Sequence, residues 1–93
     1  MIKIVAINHI QGYTITCTFN NGCIKKLDAE QLINNHLHLK GVSSLLDHNV
    51  FKKAKIGMLG EIMWENIVAN DNGRSWNYDI SPDFVYQNAE SII

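Results

Sequence analysis

Apolar and polar residues alternate most cleanly over 13–19 (YTITCTF), with Tyr13, Ile15, Cys17 and Phe19 on one face and Thr14, Thr16 and Thr18 on the other. A period of two marks a half-buried strand with one solvated side. The preceding residues 2–9 (IKIVAINH) are rich in β-branched side chains and predict a strand buried on most of both faces. Gln11-Gly12 reads as a two-residue turn between them. Asn20-Asn21-Gly22 supplies residues that tolerate positive φ before a returning strand, 23–27 (CIKKL). Three consecutive strands with tight turns predict an antiparallel meander.

The period then changes. Asp28 is placed to cap a helix, with Gln31 three residues later in a capping-box-like pair and Leu32 and Ile33 facing inward. Residues 34–46 show no clean period and read as loop plus a short turn. Asp47 is a second cap, before one or two helical turns buried through Val50 and Phe51. Residues 55–59 (KIGML) and 61–68 (EIMWENIV) read as strands around Gly60, and 70–73 (NDNG) as a turn returning into 74–80 (RSWNYDI). Ser81 is an N-cap, Pro82 sits at the first helical position, and Asp83 favours the helix dipole. Ile80 and Val85 are spaced for a hydrophobic staple. The terminal helix is expected to run through 83–92 (DFVYQNAESI), with Val85, Ala89 and Ile92 on one stripe. The expected architecture is α+β: an antiparallel meander sheet, about six short strands in all, a helical crossover and a C-terminal helix. Whether the early and late strands form one sheet or two is left open.

At 93 residues the chain is expected to be a single domain, 1–93, that buries roughly two-thirds of its unfolded surface. Its 46% apolar and 18% charged residues are ordinary for a globular domain and argue against disorder. The net charge of −1 gives no global pull toward nucleic acid or anionic lipid. It is unevenly spread: residues 1–55 carry seven Lys and three acids, whereas 56–93 carry Arg74 and six acids. Folding either interleaves these halves or leaves a dipolar surface suited to a charged partner. No secretory signal or membrane-length apolar run is recognisable, so a cytoplasmic location with reduced Cys17 and Cys23 is expected.

Taken in order, three stretches resemble domain-of-unknown-function family 2442, a set of small bacterial proteins: YTITCTFNNGCIKKLD, FKKAKIGMLGEIMWE and NYDISPDFVY. The matching positions are Phe19, Gly22, Asp28, Phe51, Trp64, Asp79, Pro82 and Tyr86. One departure is NIVANDNGRSWNY, which inserts a hairpin where many members pass directly from the Trp strand to the Pro-led helix. The resemblance implies an uncharacterised domain, in many members the antitoxin-like half of a two-gene module and in others fused to a helix-turn-helix. It offers no catalytic residues. This chain leaves no room for a helix-turn-helix, so DNA binding through one is not expected.

Candidate chemistry is sparse. His36 and His38 could face the same way in an extended segment, but His9, His48, Cys17 and Cys23 lie on other elements and form no metal-binding spacing. A two-residue turn at 21–22 would point Cys17 and Cys23 to opposite faces; a three-residue turn would set them diagonally on one face. Asp79 and Asp83 straddle a helix start and are explained by capping and the dipole rather than by acid–base chemistry. No phosphate-binding glycine motif is present. The expectation is therefore no enzyme, no cofactor and no metal.

Candidate partner-binding residues are the aromatics Trp64, Trp76 and Tyr78 and the lysines Lys52, Lys53 and Lys55. One tryptophan is assigned to the core; Trp76, on the added hairpin, is the favoured anchor. The leading functional reading is a non-enzymatic interaction module, antitoxin-like, that binds a small protein encoded beside it. The alternatives are a self-associating regulatory or small-ligand-binding domain and, third, direct nucleic-acid binding through a Lys patch that would also draw on Lys25, Lys26 and Lys40. Membrane association is not expected.

Overall fold

In the computed structural model, which describes residues 1–92, the threonines of residues 14–19 stay at the surface while Ile15, Cys17 and Phe19 are buried. This strand, β2 (Thr14–Phe19), lies between β1 (Ile4–Gln11) and β3 (Ile24–Asp28), both antiparallel to it. The meander is therefore present, with local corrections. β1 buries Ile4 fully but exposes Val5, Asn8 and His9, so it is not covered on both faces. Its pairing slips twice, between Ile4 and Ala6 and between Ile7 and His9, and each bulge breaks the alternation. The first turn is Gly12-Tyr13 rather than Gln11-Gly12, because Gln11 pairs with Thr14. Gly12, at φ 59°, takes the position where a two-residue hairpin turn needs glycine. Tyr13 is thereby released from the strand: its hydroxyl donates to the Leu46 carbonyl and its ring meets Phe51 edge-on at 5.3 Å.

The second turn spans three residues, 20–22, closed by Phe19 N to Cys23 O at 2.8 Å and Gly22 N to Phe19 O at 2.9 Å. Cys23 thus opposes Phe19 and shares a face with Cys17, one step further along.

Asp28 ends β3 instead of occupying the N-cap position, which falls to buried Ala29. Its carboxylate still accepts from Glu30 N at 3.0 Å, so it caps α1 (Glu30–Asn35) from one residue upstream. Gln31 bonds Asn35 and closes no capping box. The aperiodic segment that follows contains a 3₁₀ helix, Val42–Leu46, which buries Val42 and Leu45 completely. Asp47 then caps α2 (His48–Phe51), accepting from Asn49 N at 2.9 Å.

A second sheet, in the order β4-β5-β6, comprises β4 (Lys55–Ile56), β5 (Ile62–Ala69) and β6 (Ser75–Ile80). Of the expected strand 55–59, only Lys55 and Ile56 pair; Gly57–Gly60 turns back toward β5. Ser81 caps α3 (Pro82–Asn88), its hydroxyl accepting from Phe84 N at 3.1 Å, a contact that contributes on the order of 1 kcal/mol. This helix is shorter than the apolar stripe suggested. Asn88 Nδ2 takes the Phe84 carbonyl at 2.8 Å and Lys25 Nζ takes that of Tyr86 at 2.6 Å, so side chains satisfy the last turn. The chain then extends as β7 (Glu90–Ser91) against Lys25 and Lys26, giving the first sheet the order β1-β2-β3-β7.

The fold is thus α+β, with seven strands in two antiparallel sheets among the described residues. One core joins them, drawing Ile4, Ile15 and Phe19 from the first sheet, Ile62, Trp64 and Ile80 from the second, and Ile33, Leu45, Phe51 and Val85 from the helical segments. The sheets also meet through backbone, Ile4 N donating to Gly60 O at 3.0 Å. Among the described residues no helix is long and apolar enough to cross a membrane.

Candidate interaction surface

The turn between β4 and β5 is closed by three hydrogen bonds while it exposes apolar side chains. Gly57 N donates to Glu61 O at 2.8 Å, Gly60 N to Gly57 O at 3.0 Å, and Leu59 N to the Glu61 carboxylate at 2.9 Å. A Cβ on Gly57 would lie 2.4 Å from the Glu61 carboxyl carbon, and Gly60, at φ 79°, backs directly onto Lys3. These bonds fix Met58 and Leu59 outward, 98% and 67% exposed. They share a concavity with Ile56 and Met63, rimmed by Lys55, Glu65 and Asn77. Lys55 and Glu65 are ion-paired and half-exposed, so they hold each other at little energetic gain. An apolar centre inside a charged, hydrogen-bonding rim is the usual anatomy of a protein interface.

A second concave region, about 450 Å³, lies where β6 meets α1 and α3. Leu32, Leu39, Ile80 and Phe84 supply apolar walls, and Tyr78 and His36 the polar groups. The Tyr78 hydroxyl and His36 Nδ1 share a hydrogen bond of 2.7 Å. Tyr78 titrates above its usual range, first because it is buried and second because the Asp79 carboxylate lies close.

The three aromatic candidates separate sharply. Trp64 is 1% exposed, donates from Nε1 to the Phe51 carbonyl at 2.8 Å, and packs between Phe51 and Tyr78. It ties β5 to α2 and presents nothing to a partner. Tyr78 is likewise buried, with only its hydroxyl committed to His36. Trp76, on β6 beyond the covered part of the sheet, is 51% exposed and pairs across to Val68. Trp64 and Tyr78 are therefore corrected from contact residues to core residues, because both point from the paired position Trp64–Tyr78 toward the interior.

The lysines do not assemble into one free patch. Lys52 and Lys53 are exposed after α2, but Lys55 is paired with Glu65 and Lys40 lies 3.8 Å from Asp71. Lys25 is turned onto α3, its Nζ 3.9 Å from the Tyr86 ring centroid. Among the remaining candidates, His36 and His38 have ring centroids 6.2 Å apart, and the described residues contain no group of three metal-ligating side chains. Cys17 is buried and Cys23 lies 3.6 Å from the Tyr86 hydroxyl; both are free thiols.

Met58, Leu59 and the His36–Tyr78 pair were not apparent as site residues in the sequence. The available signal for the turn was Gly-Met-Leu-Gly-Glu itself, two apolar residues bracketed by glycines that a paired strand would not favour. The His36–Tyr78 contact joins residues far apart in the chain and has no local signal. Comparison with family models, with curated proteins and with solved structures found no match.

Proposed function

We propose that this protein is a non-enzymatic interaction module that docks a small partner protein on the Met58–Leu59 turn and the adjoining face of the β4-β5-β6 sheet. The observation that carries the reading is the turn: three hydrogen bonds, with Gly60 packed against the Lys3 backbone, hold two large apolar side chains in water. Folding gains nothing from that exposure, whereas a partner pocket gains the burial of both side chains, about 1.5–3 kcal/mol each. The resemblance to family 2442 supports a partner encoded beside this chain, in an antitoxin-like arrangement. Free Cys17 and Cys23 suit a reducing cytoplasm.

The test is co-expression with the product of the adjacent reading frame, followed by gel filtration and calorimetry. A stoichiometric complex is expected, weakened about 100-fold or more by Met58→Asp with Leu59→Asp, the loss of two hot-spot anchors. The double variant should fold normally, since both side chains are exposed. A wild-type protein that neither binds that product nor self-associates would overturn the proposal. A homodimer lost in the same variant would transfer the face to self-association.

A further inference from the structure

The two sheets end in different kinds of edge. β1, at one end of the first sheet, carries two bulges and gives its Ile4 N–H to Gly60. Bulges of this kind twist an edge away from intermolecular pairing. β6, at the end of the second, has none of these protections. It contains no proline and no lysine, and the irregularity in its pairing lies on β5, where extra residues around Asn66 (φ 56°) are accommodated between Trp64 and Val68. Among the described residues, no backbone hydrogen bond joins Ser75–Ile80 to any element other than β5.

The groove walled by Leu32, Leu39 and Phe84 runs beside this open edge. Alternation decides what an added strand would meet. Its side chains in phase with Trp76, Tyr78 and Ile80 would turn inward, one over the groove and the next beside the half-exposed Trp76. Those in phase with Asn77 and Asp79 would turn outward, next to a carboxylate that has no ion-pair partner among the described residues. Asp83, also without such a partner, stands on the first turn of α3 beside Phe84. Two carboxylates without ion-pair partners among the described residues thus stand along the Ile80 end of this edge, the Arg74 cation lying at its other end, and the field of Asp79 is felt at Tyr78.

We propose that the outer edge of β6 is a strand-addition site for an extended peptide segment in which a lysine or arginine stands between two apolar residues. Main-chain pairing with β6 supplies affinity, the groove and Trp76 take the apolar side chains, and Asp79 selects the basic one. A second copy of this chain is a poorer occupant: within its own paired edge, Ser-Trp-Asn-Tyr-Asp-Ile, it brings a second Asp79 and no cation, its Arg74 standing outside the strand. The inference rests on the reading of the protein as an interaction module and adds a second recognition surface to it.

The probe is a capped peptide, Thr-Leu-Lys-Leu-Thr, titrated into isotopically labelled protein. Amide shifts and slowed hydrogen exchange are expected along Ser75–Ile80. Replacing the peptide lysine by glutamate should weaken binding by ~10-fold or more, the scale of a charge reversal beside one carboxylate; Asp79→Asn should narrow that difference. Peptides N-methylated at the lysine or at both leucines separate pairing from adsorption, because one of the two must remove main-chain donors facing β6. No response along β6, equal binding of every N-methylated peptide, or β6-dependent dimerisation without peptide would each overturn the inference. If the peptide fails while the Met58-dependent complex stands, strand addition alone is wrong; if it binds while that complex is absent, the Met58 face is what fails.

Discussion

Cys17 lies wholly buried in the centre of the first sheet, and burial pushes its thiol from 9.0 up to about 11. Tyr78 is raised in the same direction by burial and by Asp79. Both groups hold their protons longer in the folded than in the unfolded chain. In the window above pH 9 the unfolded state therefore binds fewer protons, and stability declines with rising pH. For Cys17 the loss is confined between pH 9 and about 11 and amounts to ~2–3 kcal/mol. Denaturant midpoints measured from pH 8 to 11 should fall over this range, and the fall should be shallower in Cys17→Ala. An unchanged slope in the variant would remove Cys17 as the cause. That Cys17 points inward was legible from the alternation with Ile15 and Phe19, and Trp76 as the outward tryptophan from its place on the added hairpin. That Tyr78 joins Trp64 in the core was not, because it depends on the cross-strand pairing of the two.

Among the turns, glycine is required for different reasons. At Gly12 an added Cβ meets nothing within 4 Å, and only the positive φ opposes it. At Gly60 the Cβ would lie 2.5 Å from Lys3 Cβ and 2.9 Å from its Cα, at the point where the two sheets exchange the Ile4–Gly60 hydrogen bond. Gly12→Ala should cost about 1 kcal/mol and Gly60→Ala about 2 kcal/mol or more, since backbone must move as well as strain. Equal costs in urea unfolding would show that the junction yields freely. Elements with a strong period or a cap were readable: the meander, the Asp47 and Ser81 helix starts and the β5–β6 hairpin. What was misread depended on tertiary competition. Residues 57–59 turn because Glu61 holds them, and residues 90–91 leave the helix because β3 has open hydrogen bonds to offer.

Taken as a whole, the molecule interlocks its sheets through shared side chains rather than stacking two independent units. Phe51 touches both Tyr13 and Trp64, and Tyr13 reaches the Leu46 carbonyl across the core. Unfolding followed by tryptophan fluorescence, which reports the second sheet, should therefore coincide with unfolding followed by far-ultraviolet circular dichroism. Separated midpoints would mean that the sheets melt independently. The α+β class was evident from the order of strands and helices. The division into two sheets was not, because it depends on which strands pair across the long helical crossover, for which the chain carries no local pattern.

The short pairing of β7 with β3 bears on how the protein is made. As the chain leaves the ribosome, β1, β2 and β3 can associate early, but the strand that covers β3 is synthesised only after the whole second sheet. For that interval the nascent meander carries an uncovered border. Lys25 and Lys26 stand on it, and their positive charges repel a neighbouring nascent copy until Glu90 and Ser91 arrive to close it.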